Sequence, residues 1–181
     1  MEFKKLDIDG LFEINLKPHF DERGFFMRTF DKNEFKNNEL QRDWVQENHS
    51  RSEKKGIIRG LHFQVEPYSE TKLVRCIRGE IFDVAVDLRK GSKTFGKWHG
   101  VFLSEENKKM FFISRGFAHG FCTLTDISEV VYKVDNFYSP EYERGLLWND
   151  PDIAIKWPIT NPMLSAKDQK NMTLKSLIEH G

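Results

Sequence analysis

The stretch IIRGLHFQVEPYSETKLVRCIRGEIFDVAVDLR, Ile57 to Arg89, carries Arg59, His62, Lys72 and Asp83 inside runs that otherwise alternate like ordinary β-strands. These are two cations, a base and a carboxylate. Singly, each could decorate a surface; together, they could face one cavity. A histidine, with a reference pKa of about 6.5, can take a proton at neutral pH, and a tyrosine, at about 10, can deliver one to a carbanion or enolate. His62 and Tyr132 are the candidates for that pair. Lys72 and Arg59 could hold the negative charge an enolate develops, or a phosphate already on the substrate. His62 is followed by Phe63 and Gln64, and His119 in GFAHGF stands alone, so no clustered set of three or four ligands is offered and no metal is expected. Neither cysteine has a local nucleophile signature and no serine sits on a Gly-x-Ser-x-Gly turn, which leaves general acid–base chemistry. Plainer readings stand beside these. His62 could be a packed strand histidine, Tyr132 in VVYKV a core or rim aromatic, and Asp168 a helix-capping carboxylate. Residue types alone argue for a polar pocket and name no reaction.

The elements that must position these groups are mostly strands. Alternation and turn residues place them at Ile57–Gln64, Lys72–Arg78, Glu80–Leu88, Trp98–Leu103, Lys109–Ile113, Phe117–Leu124 and Ser128–Val134. LFEINLKPHF reads as an earlier strand ending near Pro18, and DERGFFMRTF as a turn at Asp21–Gly24 leading into another. Asp31 followed by Glu34 marks a short helix, and Ser165 followed by Asp168 a second one. Phe82, Val84, Val86 and Leu88 share one face, while Asp83, Ala85 and Asp87 share the other, which is either solvent or the lining of a polar cavity. Many short strands with little helix give an all-β sandwich or barrel, and the jelly roll is the version that most often encloses a small-molecule pocket.

The length, 181 residues, suits a single domain spanning 1–181. Lys plus Arg equals Asp plus Glu at 28 each, so no basic field recruits nucleic acid. The opening MEFKKLDIDG builds no signal-peptide core, and no apolar run approaches the ~18 residues of a membrane span, so a soluble cytoplasmic protein is expected. Cys76 and Cys122 lie in separate apolar runs and read as buried, reduced thiols.

As a string, the chain resembles the dTDP-4-dehydrorhamnose 3,5-epimerase family of nucleotide-sugar enzymes over nearly its whole length. The segments FDERGFF, QENHSRS, RGLHFQ, KLVRCIRGEIFDVAVDLR, TFGKWHG, LSEENKK, GFAHGF, YSPEYERGLLWNDPDIAIKWP and LSAKD carry the likeness in order and spacing. The resemblance implies a cupin-type jelly roll, a homodimer, no metal and no organic cofactor. It implies His62 as the base, Asp168 as its orienting partner and Tyr132 as the acid on the opposite sugar face. Lys72 would polarise the C4 oxygen, with Arg59 on the phosphates and His119 with Asp83 forming a second His–carboxylate pair. Arg23, Phe26, Gln46, Asn48, Tyr138, Glu143 and Lys167 would bind the nucleotide diphosphate, the Arg23 segment reaching across the dimer. The chain departs from the family pattern at Arg28, where Glu is common and the nucleotide base is expected, at Glu70, where Gln or a similar residue is, and at Ser114, where Pro is. A C3-only or C5-only epimerase, a CDP- or GDP-linked substrate, and a non-catalytic sugar-nucleotide binding module are the alternatives.

Overall fold

A computed structural model describes residues 1–180. Each of the seven strands expected between Ile57 and Val134 forms, with ends displaced by at most one residue. They are β6 (Ile58–Gln64), β7 (Lys72–Arg78), β8 (Glu80–Asp87), β9 (Trp98–Ser104), β10 (Lys109–Ile113), β11 (Phe117–Thr123) and β12 (Ser128–Val134). Before them run β1 (Glu2–Lys5), β2 (Leu11–Asn15), a hairpin of β3 (His19–Asp21) and β4 (Gly24–Phe26), helix α1 (Lys32–Asn37) and β5 (Gln46–Ser52). After them come β13 (Glu143–Gly145), a single 3-10 turn at Asp168–Lys170 and helix α2 (Leu174–His180).

Two antiparallel sheets face each other in a cupin-like jelly roll. One has the order β1-β2-β10-β7-β12-β5, the other β13-β6-β11-β8-β9. Alternation sorts their side chains into layers. Leu11, Val74, Phe111 and Val130 from the first sheet meet Ile81, Ala85, Val101 and Phe121 from the second in the interior. Burying each large apolar side chain is worth about 1.5–3 kcal/mol, so this shared layer holds the sheets together. The outer face of the first sheet is capped by the α1 region, where Phe35 packs with Ile14, Leu73 and Phe112. The outer face of the second is covered by the C-terminal segment, where Ile153 and Leu174 meet Phe82, Val84 and Val86.

Both faces of β8 are therefore buried, and the solvent reading of its polar face fails. Asp83 and Asp87 are each fully buried. Burial works against the charge on Asp87, but hydrogen bonds from Arg89, Ser92 and Thr94 outweigh it and hold its pKa down to about 2. Helix α1 starts as expected: the Asp31 carboxylate accepts the Asn33 and Glu34 N–H groups at 2.9 and 3.3 Å. Glu34 does not complete the reciprocal box, because it pairs with the Met1 ammonium at 2.9 Å. Both cysteines are free and buried, and burial pushes their thiols up to about 12 for Cys76 and about 11 for Cys122. Among the described residues, no helix is long and apolar enough to cross a membrane.

Candidate active site

Arg59 and His62 are three positions apart, so a regular strand would send them to opposite faces. A bulge reverses that. On β11, His119 pairs with His62 and Phe121 pairs with Arg59, so two steps on β11 span three on β6. The extra residue turns both side chains into one cavity of about 530 Å³. Gly60 lies inside the bulge with φ +118°, and a Cβ there would lie 2.7 Å from both Gly120 Cα and the His119 carbonyl oxygen. Only glycine satisfies both the backbone angle and the crossing.

Four more elements supply the other titratable groups of the cavity wall. His119 comes from β11, Lys72 from the first position of β7, Tyr132 from the middle of β12, and Lys167 with Asp168 from the chain entering the 3-10 turn. His62 Nε2 lies 2.6 Å from Asp168 Oδ1, leaving Nδ1 as the ring nitrogen free to accept a proton. Asp168 is buried, and its other oxygen accepts the Gly60 N–H at 3.4 Å. Burial pushes its carboxyl up, yet the bond and charge of His62, the Gly60 N–H and Ser165 together win and hold it below the usual carboxylate range. The capping reading of Asp168 thus gives way. Ser165 does the capping, its Oγ accepting the Asp168 N–H at 3.0 Å, and the carboxylate turns to His62. The second expected helix shrinks to that one turn.

A second histidine–carboxylate pair stands beside the first. His119 Nε2 lies 2.6 Å from Asp83 Oδ1. His119 reaches the cavity wall, whereas Asp83 stays behind it with Oδ2 buried and unpartnered. Tyr132 faces the cavity from the opposite sheet to His62. Burial first, then the charges of Glu70 and Glu143, push its phenol above the ordinary tyrosine value, with Arg59 opposing them. Its proton is accordingly held firmly at neutral pH. Lys72 is 7% exposed, with Nζ 5.9 Å from the Tyr132 ring centroid. Arg59 is fixed from behind: Nε donates to Ser52 Oγ at 3.0 Å and Nη2 to the Arg51 carbonyl at 2.9 Å.

The other expected binding residues divide into two sets. Tyr138 Oη and Lys167 Nζ both donate to Glu143 Oε2, at 2.8 and 2.6 Å, and Gln46 Oε1 accepts the Tyr138 N–H at 2.8 Å. Of these, Lys167 alone lines the cavity. Bonding to Glu143 raises the Tyr138 phenol and the Lys167 ammonium. Asn48 sits on β5 opposite Tyr132 in register. Arg23, Phe26 and Arg28 stand outside the cavity wall. Arg23 pairs with Asp21 and Arg28 with Asp31, and Phe26 is 69% exposed. Sequence reasoning missed Ser52, Ser165 and Phe121; the polar strand QENHSRS that carries Ser52 offers no apolar alternation to mark it. Among the described residues, no group of three His, Cys, Asp or Glu side chains is placed to hold a metal ion.

The arrangement can move protons: an oriented imidazole and a neutral phenol approach one cavity from opposite sheets, with a buried ammonium available for developing negative charge. Residues 5–176 match the family model described as dTDP-4-dehydrorhamnose 3,5-epimerase. A curated protein of that description from Shigella flexneri is 54% identical over 169 residues, covering 93% of each chain. The crystal structure of dTDP-4-dehydrorhamnose 3,5-epimerase from Bacillus anthracis with TDP and PPi bound superimposes with a TM-score of 0.93 at 42% identity, covering 96% of this chain and 99% of that one. The dTDP-6-deoxy-D-glucose-3,5-epimerase of Legionella pneumophila in complex with dTDP-4-keto-L-rhamnose gives 0.92 at 43%, covering 96% and 93%.

Proposed function

The chain belongs to the dTDP-4-dehydrorhamnose 3,5-epimerase family, and from that premise we infer that His62, Tyr132 and Lys72 carry the chemistry of this enzyme. It epimerises a dTDP-linked keto sugar at C3 and C5. The substrate we propose is dTDP-4-dehydro-6-deoxyglucose. One observation supports the assignment above the rest: the His62–Asp168 pair and Tyr132 approach one cavity from opposing sheets.

A hydrogen on the carbon beside a ketone is acidic only because the charge left behind delocalises onto oxygen, so the reaction needs a base at carbon and a cation at oxygen together. His62 Nδ1 takes the proton, and Asp168 stabilises the imidazolium that results. Lys72 faces the C4 oxygen as the enolate forms. Tyr132 then gives its proton to the opposite face of the same carbon, inverting it. After one inversion His62 holds a proton and Tyr132 lacks one, and exchange with water resets both before the other carbon reacts. No atom or electron is gained or lost overall, and no oxidant is required.

Arg59 and Lys167 lie where the diphosphate charge would be met, Arg59 offering planar bidentate contact. Arg23, Phe26 and Arg28 do not line the wall of their own cavity, and the β3–β4 hairpin exposes Phe20, Phe25 and Phe26. These features support a homodimer in which each hairpin completes the partner's nucleotide site; a monomer in sedimentation equilibrium would overturn that arrangement. The function itself is tested by proton NMR of the product. Inversion at both C3 and C5 of the dTDP sugar is expected, whereas inversion at a single carbon, or equal turnover of CDP- and GDP-linked sugars, would contradict it.

Asp168→Asn probes the support behind His62. The amide keeps the shape but not the charge, so kcat is expected to fall about 10²–10³-fold. The carboxylate's pKa is lower folded than unfolded, so its contribution to stability is full above the unfolded value of about 3.9 and fades as pH falls through the folded one. The melting temperature of the parent should therefore exceed that of Asp168→Asn near neutral pH, with the gap closing below about pH 4. A gap that stays constant down to acid unfolding would contradict the charged pair.

A further inference from the structure

One half-buried acid at this site has no task in the mechanism above. Glu70 lies behind the cavity wall with its side chain 12% exposed. Its Oε1 is 3.2 Å from Lys72 Nζ, and its Oε2 accepts from Gln64 Nε2 at 3.1 Å. Gln64, itself 4% exposed, is fixed in turn: its two N–H groups are shared among Glu70 and the Tyr68 and Phe137 carbonyls, the latter at 2.9 and 3.1 Å, and its oxygen accepts the Ser139 N–H at 2.6 Å. The backbone between Glu70 and Lys72 is pinned as well, because the Thr71 N–H donates to the buried Asp135 carboxylate at 2.6 Å. The Glu70 carboxylate is thus held rigidly from behind and presents one oxygen to the lysine.

Two effects of that oxygen oppose each other. Its negative charge weakens the help Lys72 can give an enolate, so on charge alone a neutral acceptor would serve better. Its ion pair, at 3.2 Å, confines a four-carbon side chain that would otherwise spread over many rotamers, and confinement is what places an N–H against one substrate oxygen. Spending a carboxylate in that place makes sense only if aim matters more than charge. We propose that Glu70 is a positioning residue that, through its ion pair with Lys72 Nζ, aims the ammonium at the substrate carbonyl oxygen. The proposal rests on the enolate reading of the site.

Three variants separate aim from charge. Glu70→Gln keeps an acceptor of the same reach without charge, Glu70→Asp keeps the charge but falls short of Lys72, and Glu70→Ala removes both. Steady-state kinetics with the dTDP-keto sugar should give kcat about tenfold lower for Ala and Asp, with KM within about twofold of the parent, and Gln within about threefold of the parent in kcat. If the Ala variant does not fold, the contrast of Asp with Gln decides alone. Parental kcat in the Asp variant, or a Gln variant as slow as Asp, would overturn the positioning role while leaving the epimerase reading intact. A parent protein with no turnover would remove both.

Discussion

His62→Asn is expected to lower kcat by about 10³–10⁴-fold with the fold intact, the upper range of what a positioned general base contributes. The asparagine amide reaches only as far as the position of Nδ1, so Asp168 loses its imidazole partner and keeps the Gly60 N–H. What disappears is the nitrogen that accepts the carbon-bound proton. KM should change little, since His62 contributes to the transition state more than to nucleotide binding. A variant retaining more than about a tenth of parental kcat would transfer the base role elsewhere.

Tyr132→Phe has a different signature. The ring continues to pack against the interior layer, so stability changes little, but the proton donor on the face opposite His62 is lost. Enolate formation through His62 and Lys72 continues, and the only residue left to return a proton is the one that took it. Hydrogen exchange with solvent should therefore persist while inversion falls by about 10²–10³-fold. The ratio of exchange to inversion, read by mass spectrometry and NMR on one sample, is the measurement. Equal losses in both would mean that Tyr132 supports deprotonation rather than delivering the second proton, and undiminished product would remove it from the acid role.

Much of the scaffold behind these expectations is written in alternation. In β7, Lys72 takes the same inward face as Val74 and Cys76, and in β12 Tyr132 shares its face with Val130 and Val134, as period two requires. The short strand runs were legible for that reason. β5 was not, because QENHSRS at the sheet edge is mostly exposed and carries no apolar rhythm. The odd spacing of Arg59 and His62 also defeats pattern reading, since only the bulge at Gly60 brings both to one side. The His62–Asp168 bond joins residues 106 positions apart, a distance across which local chemistry has no signal. There the likeness of LSAKD and RGLHFQ to a known family supplied what spacing lacked. The β3–β4 hairpin was visible as a turn at Asp21–Gly24, while the exposure of its phenylalanines carried no signal in the sequence. Glu70 stood out only as a departure from the family pattern, and its ion pair with Lys72 is what carries the role proposed for it.

The measurement that reaches the central claim most directly is deuterium incorporation from D2O into dTDP-4-dehydro-6-deoxyglucose, followed at C3 and C5 with the parent protein and with His62→Asn. Acid–base epimerisation through His62 predicts label at both carbons with the parent and label at the uncatalysed rate with the variant. Label at neither carbon with the parent, or undiminished label with His62→Asn, would contradict it.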